Sequence, residues 1–187
     1  MRTSRLLAAV GVTTLLVFDG CTSPPSGPPS SAPSTPAATP TPAYTPGVDP
    51  DADVAAAIAA YEAYVEAENQ VAIADRSTWD PLLDLIVGEM RDGTLETLMS
   101  MAEDGTTLTG GALILSAAVA GQDSERVVLD VCLDIGGTDI VGADGASLVS
   151  PTRLPISAMR VRVVPVVAAE VMWKIDYIIF REDGPEC

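Results

Sequence analysis

The hydrophobic period of this chain changes once, near Gly105, and that change limits the fold more than any single motif does. Ahead of it, apolar residues recur at helical spacing. Asp51 and Asp53 put acidic charge at a helix amino end, and Val54, Ile58, Tyr61, Val65 and Ala72 follow a 3.6-residue repeat. The spacing predicts one long helix to about Asp75, with Glu68 and Asn69 interrupting its apolar stripe toward the far end. Ser77 ahead of Trp79-Asp80-Pro81 predicts the cap and first turn of a second helix through Val87. A third helix is expected after the Gly93-Thr94 break, on Leu95, Leu98, Met99 and Ala102, ending at Gly105.

Beyond Gly105 the period is two. Leu113 to Ala120 reads as a strand with a small-residue surface. In Arg126 to Ile135, Val127, Leu129, Val131, Leu133 and Ile135 form an apolar face, and Val128, Asp130, Cys132 and Asp134 form the other. Gly136-Gly137 and Asp144-Gly145 are turn signals. Met159, Val161 and Val163 alternate with Arg160, Arg162 and Val164, and Pro165 implies a bulge or an edge there. Val171 to Arg181 closes the sheet, with Trp173, Ile175, Tyr177 and Ile179 expected on one face. Three helices followed by a long antiparallel sheet is an α+β order, assigned to residues 51–187.

The segment ahead of this domain carries an address. Arg2 and Arg5 precede an uncharged run from Leu6 to Phe18, roughly 20 Å as a helix and too short for the ~30 Å membrane core. Residues 1–20 therefore read as a signal peptide. Phe18-Asp19-Gly20-Cys21 resembles a bacterial lipobox, which implies acylation of Cys21 with diacylglyceryl and palmitate chains and cleavage before it. Asp19 departs from the small or apolar residue usual there. Residues 21–50 then hold ten of the fifteen prolines, mixed with serine and threonine. Such a stretch buries too little apolar surface to order itself and reads as a tether of roughly 90 Å maximum reach. The implied location is the outer face of the cell membrane, lipid-anchored.

The element order, the long first helix with Tyr61 and Tyr64, and the closing Trp173-Lys174-Ile175 strand resemble the nuclear transport factor 2-like superfamily. That resemblance implies a curved antiparallel sheet wrapped around the helices as a cone. Val131-Cys132-Leu133-Asp134 and the terminal Cys187 make the chain more narrowly similar to actinobacterial surface lipoproteins of that superfamily.

Charge and cysteine usage narrow the function. With 10 Lys+Arg against 26 Asp+Glu, phosphate neutralisation is absent and no nucleic-acid partner is expected. Zero histidines exclude Ser-His and Cys-His dyads and histidine-based zinc sites. With Cys21 acylated, Cys132 and Cys187 remain as a pair, read as a structural disulfide because exported chains oxidise. No metal site and no cofactor is read. Asp134, Asp139 and Asp144 lack calcium-loop spacing. Asp134-Ile135-Gly136-Gly137-Thr138 is similar to the phosphate turn of sugar kinases, but the domain is too small for that fold, so the string reads as a strand ending in a turn. Asp130 and Asp134 share a strand face and invite a glycosidase reading, yet pairing with Arg160, Arg162 or Lys174 explains them more simply.

A pocket is expected among Tyr61, Tyr64, Glu68, Asn69, Asp75 and Trp79, because polar groups near the end of an apolar stripe face a cavity. No catalytic residue is assigned. The first reading is a non-enzymatic module binding a small apolar ligand or a cell-envelope protein. The alternatives are an isomerase- or dehydratase-like enzyme using a carboxylate in the cone, and a structural accessory module. A cavity carboxylate within hydrogen-bond reach of Tyr61 or Tyr64 points to the enzyme. A filled cone with an exposed apolar patch points to a protein partner.

Overall fold

The computed structural model describes residues 50–167, 171–181 and 187. The expected signal peptide, Cys21 and the tether, apart from Pro50, lie outside the described residues. The elements are α1 (Pro50–Asn69), a single 3-10 turn (Arg76–Thr78), α2 (Asp80–Leu83), α3 (Gly88–Glu103), β1 (Thr107–Thr109), β2 (Leu113–Gln122), β3 (Val127–Asp134), β4 (Asp139–Val141), β5 (Ile156–Val167) and β6 (Val171–Phe180). Strands β2, β3, β5 and β6 form an antiparallel sheet in that order, and β1 pairs with β4 as a separate ribbon. The protein is α+β, with three helices packed against a curved antiparallel sheet. This agrees with the cone that the resemblance implies.

Alternation in β3 decides which face is core. Val127, Leu129, Val131 and Leu133 are buried, and they meet Ala57, Tyr61 and Val65 of α1 with Val161, Val163 and Ile175 of the neighbouring strands. The opposite face carries Asp130, which takes Arg160 directly across the register at 2.8 Å and Arg181 at 2.6 Å. Arg162 pairs instead with Asp176 at 2.7 Å. Pro165 falls past the last β3 partner of β5, Val163, so its missing N–H leaves no ladder bond unmade on that side.

The expected face of β6 is half right. Ile175 is fully buried, but Tyr177 and Ile179 are exposed and Ile178 packs on the core. The register explains this: Val163 pairs with Ile175 while Arg162 pairs with Tyr177, leaving Asp176 as an extra residue. One extra residue inverts every side chain beyond it.

The helices also differ from their periodicity. Helix α1 stops at Asn69, not near Asp75, and Ala72 lies in the loop that follows. The second helix ends at Leu83 because the next residues join the sheet. The Val87 N–H donates to the Ile175 carbonyl and the Ile175 N–H to the Leu85 carbonyl, both at 2.9 Å. Ser77 does not cap α2, whose N-cap is Trp79 with no side-chain hydrogen bond; it lies in the 3-10 turn, where Asp75 accepts from its N–H. Gly93-Thr94 lies inside α3 and breaks nothing, and Met99 of the expected stripe is exposed. Gly105 does end α3: at φ +65 its N–H reaches the Ala102 carbonyl, and Thr106 N–H reaches Met101.

Cys132 and Cys187 form a disulfide with Cα atoms 5.6 Å apart, tying the last residue to the middle of β3. The closed loop, with a sequence separation of 55, should contribute about 4 kcal/mol by restricting the unfolded chain. Replacing both cysteines with alanine is expected to lower the unfolding free energy by about that amount in denaturant titration. A loss below about 1 kcal/mol would contradict the bridge as a main constraint.

Candidate functional site

The site begins where α1 ends. Asn69 reaches out of the helix and holds Ala112 by both backbone groups: its Nδ2 donates to the Ala112 carbonyl at 2.9 Å, and its Oδ1 accepts from the Ala112 N–H at 2.8 Å. The clamp seats the start of β2 beside the last turn of α1. It also requires glycine next to it. Gly110 adopts φ +76, and a Cβ there would lie 1.8 Å from the Gly137 carbonyl oxygen. The loop before β2 and the Gly136-Gly137 turn thus pass backbone against backbone.

That turn is closed by its own groups. Asp134 Oδ1 accepts from the Gly136 N–H at 2.8 Å, and Thr138 N–H donates to the Ile135 carbonyl at 3.0 Å. Arg153 locks it from outside: Nη2 donates to the Ile135 and Thr138 carbonyls at 2.8 and 2.6 Å, and Nη1 to Thr138 Oγ1 at 3.1 Å. The kinase-like string is therefore a braced turn leading into β4. Asp139 accepts from Ser147 Oγ at 2.6 Å and Asp144 from the Ala146 N–H at 3.0 Å. Each aspartate has a local partner.

Two adjoining cavities open beside these elements. The first, about 350 Å³, lies among Asn69, Gly110, Leu133, Ile135, Arg153, Met159 and Phe180. The second, about 520 Å³, lies between α1 and α3, among Tyr64, Leu82, Glu89, Met90, Thr97 and Met101. Glu68, Val71, Leu108 and Ile140 stand in both walls. Leu108 and Ile140 are direct partners across the β1–β4 ribbon, so this three-residue pairing is the partition between the two spaces.

Glu68 is the polar group at that junction. Its side chain is solvent-exposed, yet it lines both cavities with neighbouring protein crowded around it. Burial pushes its carboxyl above the ordinary 4.5, and the Tyr64 hydroxyl, donating to Oε1 at 3.2 Å, opposes part of that rise. Tyr64 and Tyr61 stack with ring centroids 6.1 Å apart. Burial first, and the Glu68 charge second, push both phenols upward, so both stay protonated donors. The Tyr61 hydroxyl, fully buried behind Tyr64, has no partner among the described residues.

The six residues expected at a pocket separate accordingly. Glu68 and Asn69 line the first cavity, and Tyr64 and Glu68 the second. Tyr61 is core beneath them. Trp79 is core as well, 3 % exposed, with its indole N–H on the Ala72 carbonyl at 3.3 Å. Asp75 sits in a surface turn, where the Ser77 hydroxyl and N–H hold its carboxyl below the ordinary value. Helical periodicity cannot separate these cases, because Trp79 and Asp75 lie beyond the end of α1. Cys21 lies outside the described residues. Leu108, Ile140, Arg153 and Glu89 were not foreseen. Three-residue strands carry no readable period, and Arg153 acts only through a turn 15 residues away.

The comparisons add little to this geometry. No protein family description matches the chain, and no curated protein matches it in sequence. Among solved structures, the chain is similar to a Novosphingobium aromaticivorans protein provisionally assigned as an aromatic ring hydroxylase. The identity is 14 %, over 73 % of this chain and 98 % of that one, with a TM-score of 0.47.

A carboxyl whose pKa is raised by folding stabilises the fold fully below its unfolded value, and that contribution is lost as pH rises through the folded value. Glu68→Gln keeps the shape and an acceptor for Tyr64 but cannot ionise. Its thermal midpoint should exceed that of the parent at neutral pH, and the difference should vanish below 4.5. Melts across this range check it; an equal or lower midpoint at neutral pH contradicts the desolvation of Glu68.

Proposed function

We propose that the chain is a membrane-anchored, extracytoplasmic lipoprotein whose α+β domain binds a small, mostly apolar molecule in the cavities that meet at Glu68. The observation that carries the binding role is the junction itself: the Glu68 carboxyl, hydrogen-bonded by Tyr64, stands in both walls together with the apolar Val71, Leu108 and Ile140. Apolar wall residues supply affinity by burial, and Glu68, the polar group common to both walls, supplies orientation. The anchor rests on the sequence, through Cys21 directly after the apolar run and the proline-rich tether behind it. The cell-envelope setting, of the actinobacterial type, follows from the same residues.

A second reading is favoured by one observation. The Glu68–Tyr64 hydrogen bond puts a carboxyl of raised pKa beside a phenol, the pairing that proton transfer on a bound apolar substrate uses. In that case Glu68 is the base and Tyr64 the donor, in an isomerase- or dehydratase-like reaction. Both readings use the same cavity, and a turnover assay on the retained molecule separates them.

Native mass spectrometry of the domain purified from its own host should show a retained mass that is lost on unfolding. A chain carrying nothing from its host, and binding no small apolar probe afterwards, would refute the binding reading. The anchor has its own test: Cys21→Ala should move the chain from the membrane to the soluble fraction, and unchanged membrane retention would refute lipidation.

A further inference from the structure

The geometry points to an organic cation as the class of ligand, an apolar molecule carrying one ammonium group that seats against Glu68. This rests on the binding reading above and specifies its chemistry. The larger cavity has three titratable side chains in its wall, Tyr64, Glu68 and Glu89, and none of its lining residues is basic. The rest of that wall is apolar or weakly polar, with Met90, Met101 and Leu98 typical of it. Such a wall cannot supply counter-charge to Glu68.

No other charged side chain pairs with Glu68 among the described residues, so its charge is answered by solvent alone. The Tyr64 hydroxyl donates one neutral hydrogen bond, and no arginine or lysine forms an ion pair with Glu68. Arg153 is the basic residue of the adjoining cavity, but three of its N–H groups are held by the Ile135 and Thr138 oxygens, and Asp139 shares its wall. An incoming ammonium completes what the cavity lacks. It neutralises Glu68, donates to the oxygens that Tyr64 leaves open, and lies against the Tyr64 ring, whose face attracts cations. Long-range attraction acts the same way, since 26 acidic against 10 basic side chains raise the local concentration of cations.

The test uses three probes of one shape on the full chain: n-octylammonium, n-octanol and n-octanoate, followed by titration calorimetry at neutral pH. Octylammonium should bind at least about tenfold more tightly than either of the others. Glu68→Gln, with its fold checked by thermal melt, should erase the preference for octylammonium over octanol. Equal binding of all three, or a preference for octanoate, overturns the cationic class and leaves the apolar cavity standing as a binding site. Binding of none of the three removes the cavity reading and this one together. The comparison on the parent chain decides the matter even if Glu68→Gln fails to fold.

Discussion

Two hydrogen bonds from one side chain, Asn69 to the Ala112 N–H and carbonyl, determine where the helical half meets the sheet. A strand end has backbone groups that need partners, and Asn69 supplies them as a neighbouring strand would. The bonds come from the last residue of α1, so they fix the end of the helix and the start of β2 at one point. Gly111 fits there because a Cβ would stand 3.1 Å from the Asn69 amide. Glu68, one residue earlier, is carried to the junction of the cavities by the same constraint. Substituting Asn69, itself part of the first cavity's wall, would therefore also act on the site by releasing the start of β2.

The sequence is most readable where one face is buried along an unbroken element. The alternation in β3 gave its core residues correctly because no bulge interrupts its pairing with β5. In β6 the same rule works up to Ile175 and inverts after Asp176, since nothing local announces an extra residue. The second helix fails for a different reason. Leu85 to Val87 have helical spacing, yet their backbone groups are taken by Ile175, a partner about ninety residues away. Glu68 and Asn69 stood out as polar interruptions of an apolar stripe, which is a signal the chain itself carries. Leu108 and Ile140 carry none, because what makes them a partition is their pairing.

The charge pattern separates into two roles. On the outer face of the sheet, acids and bases answer each other directly, as Asp130 does with Arg160 and Arg181 and Asp176 with Arg162. Those pairs are partly exposed and set register more than stability. In the cavity walls, Glu68 and Glu89 have no ion-pair partner among the described residues. Asp130 is held below the ordinary carboxylate value, first by its hydrogen bond from Arg160, while Glu68 is pushed above it by burial. The two carboxyls are thus shifted in opposite directions by their surroundings, a charged hydrogen bond in one case and desolvation in the other.

The central claim is that Glu68, although it keeps contact with solvent, is partly desolvated by the protein around it at the junction of the two cavities. Side-chain carbon NMR of the carboxyl, followed through a pH titration of the ligand-free chain, measures this directly. The account predicts a midpoint above 4.5 for Glu68, rising further when Tyr64→Phe removes the opposing hydrogen bond. A midpoint at or below 4.5, unmoved by that substitution, would contradict it.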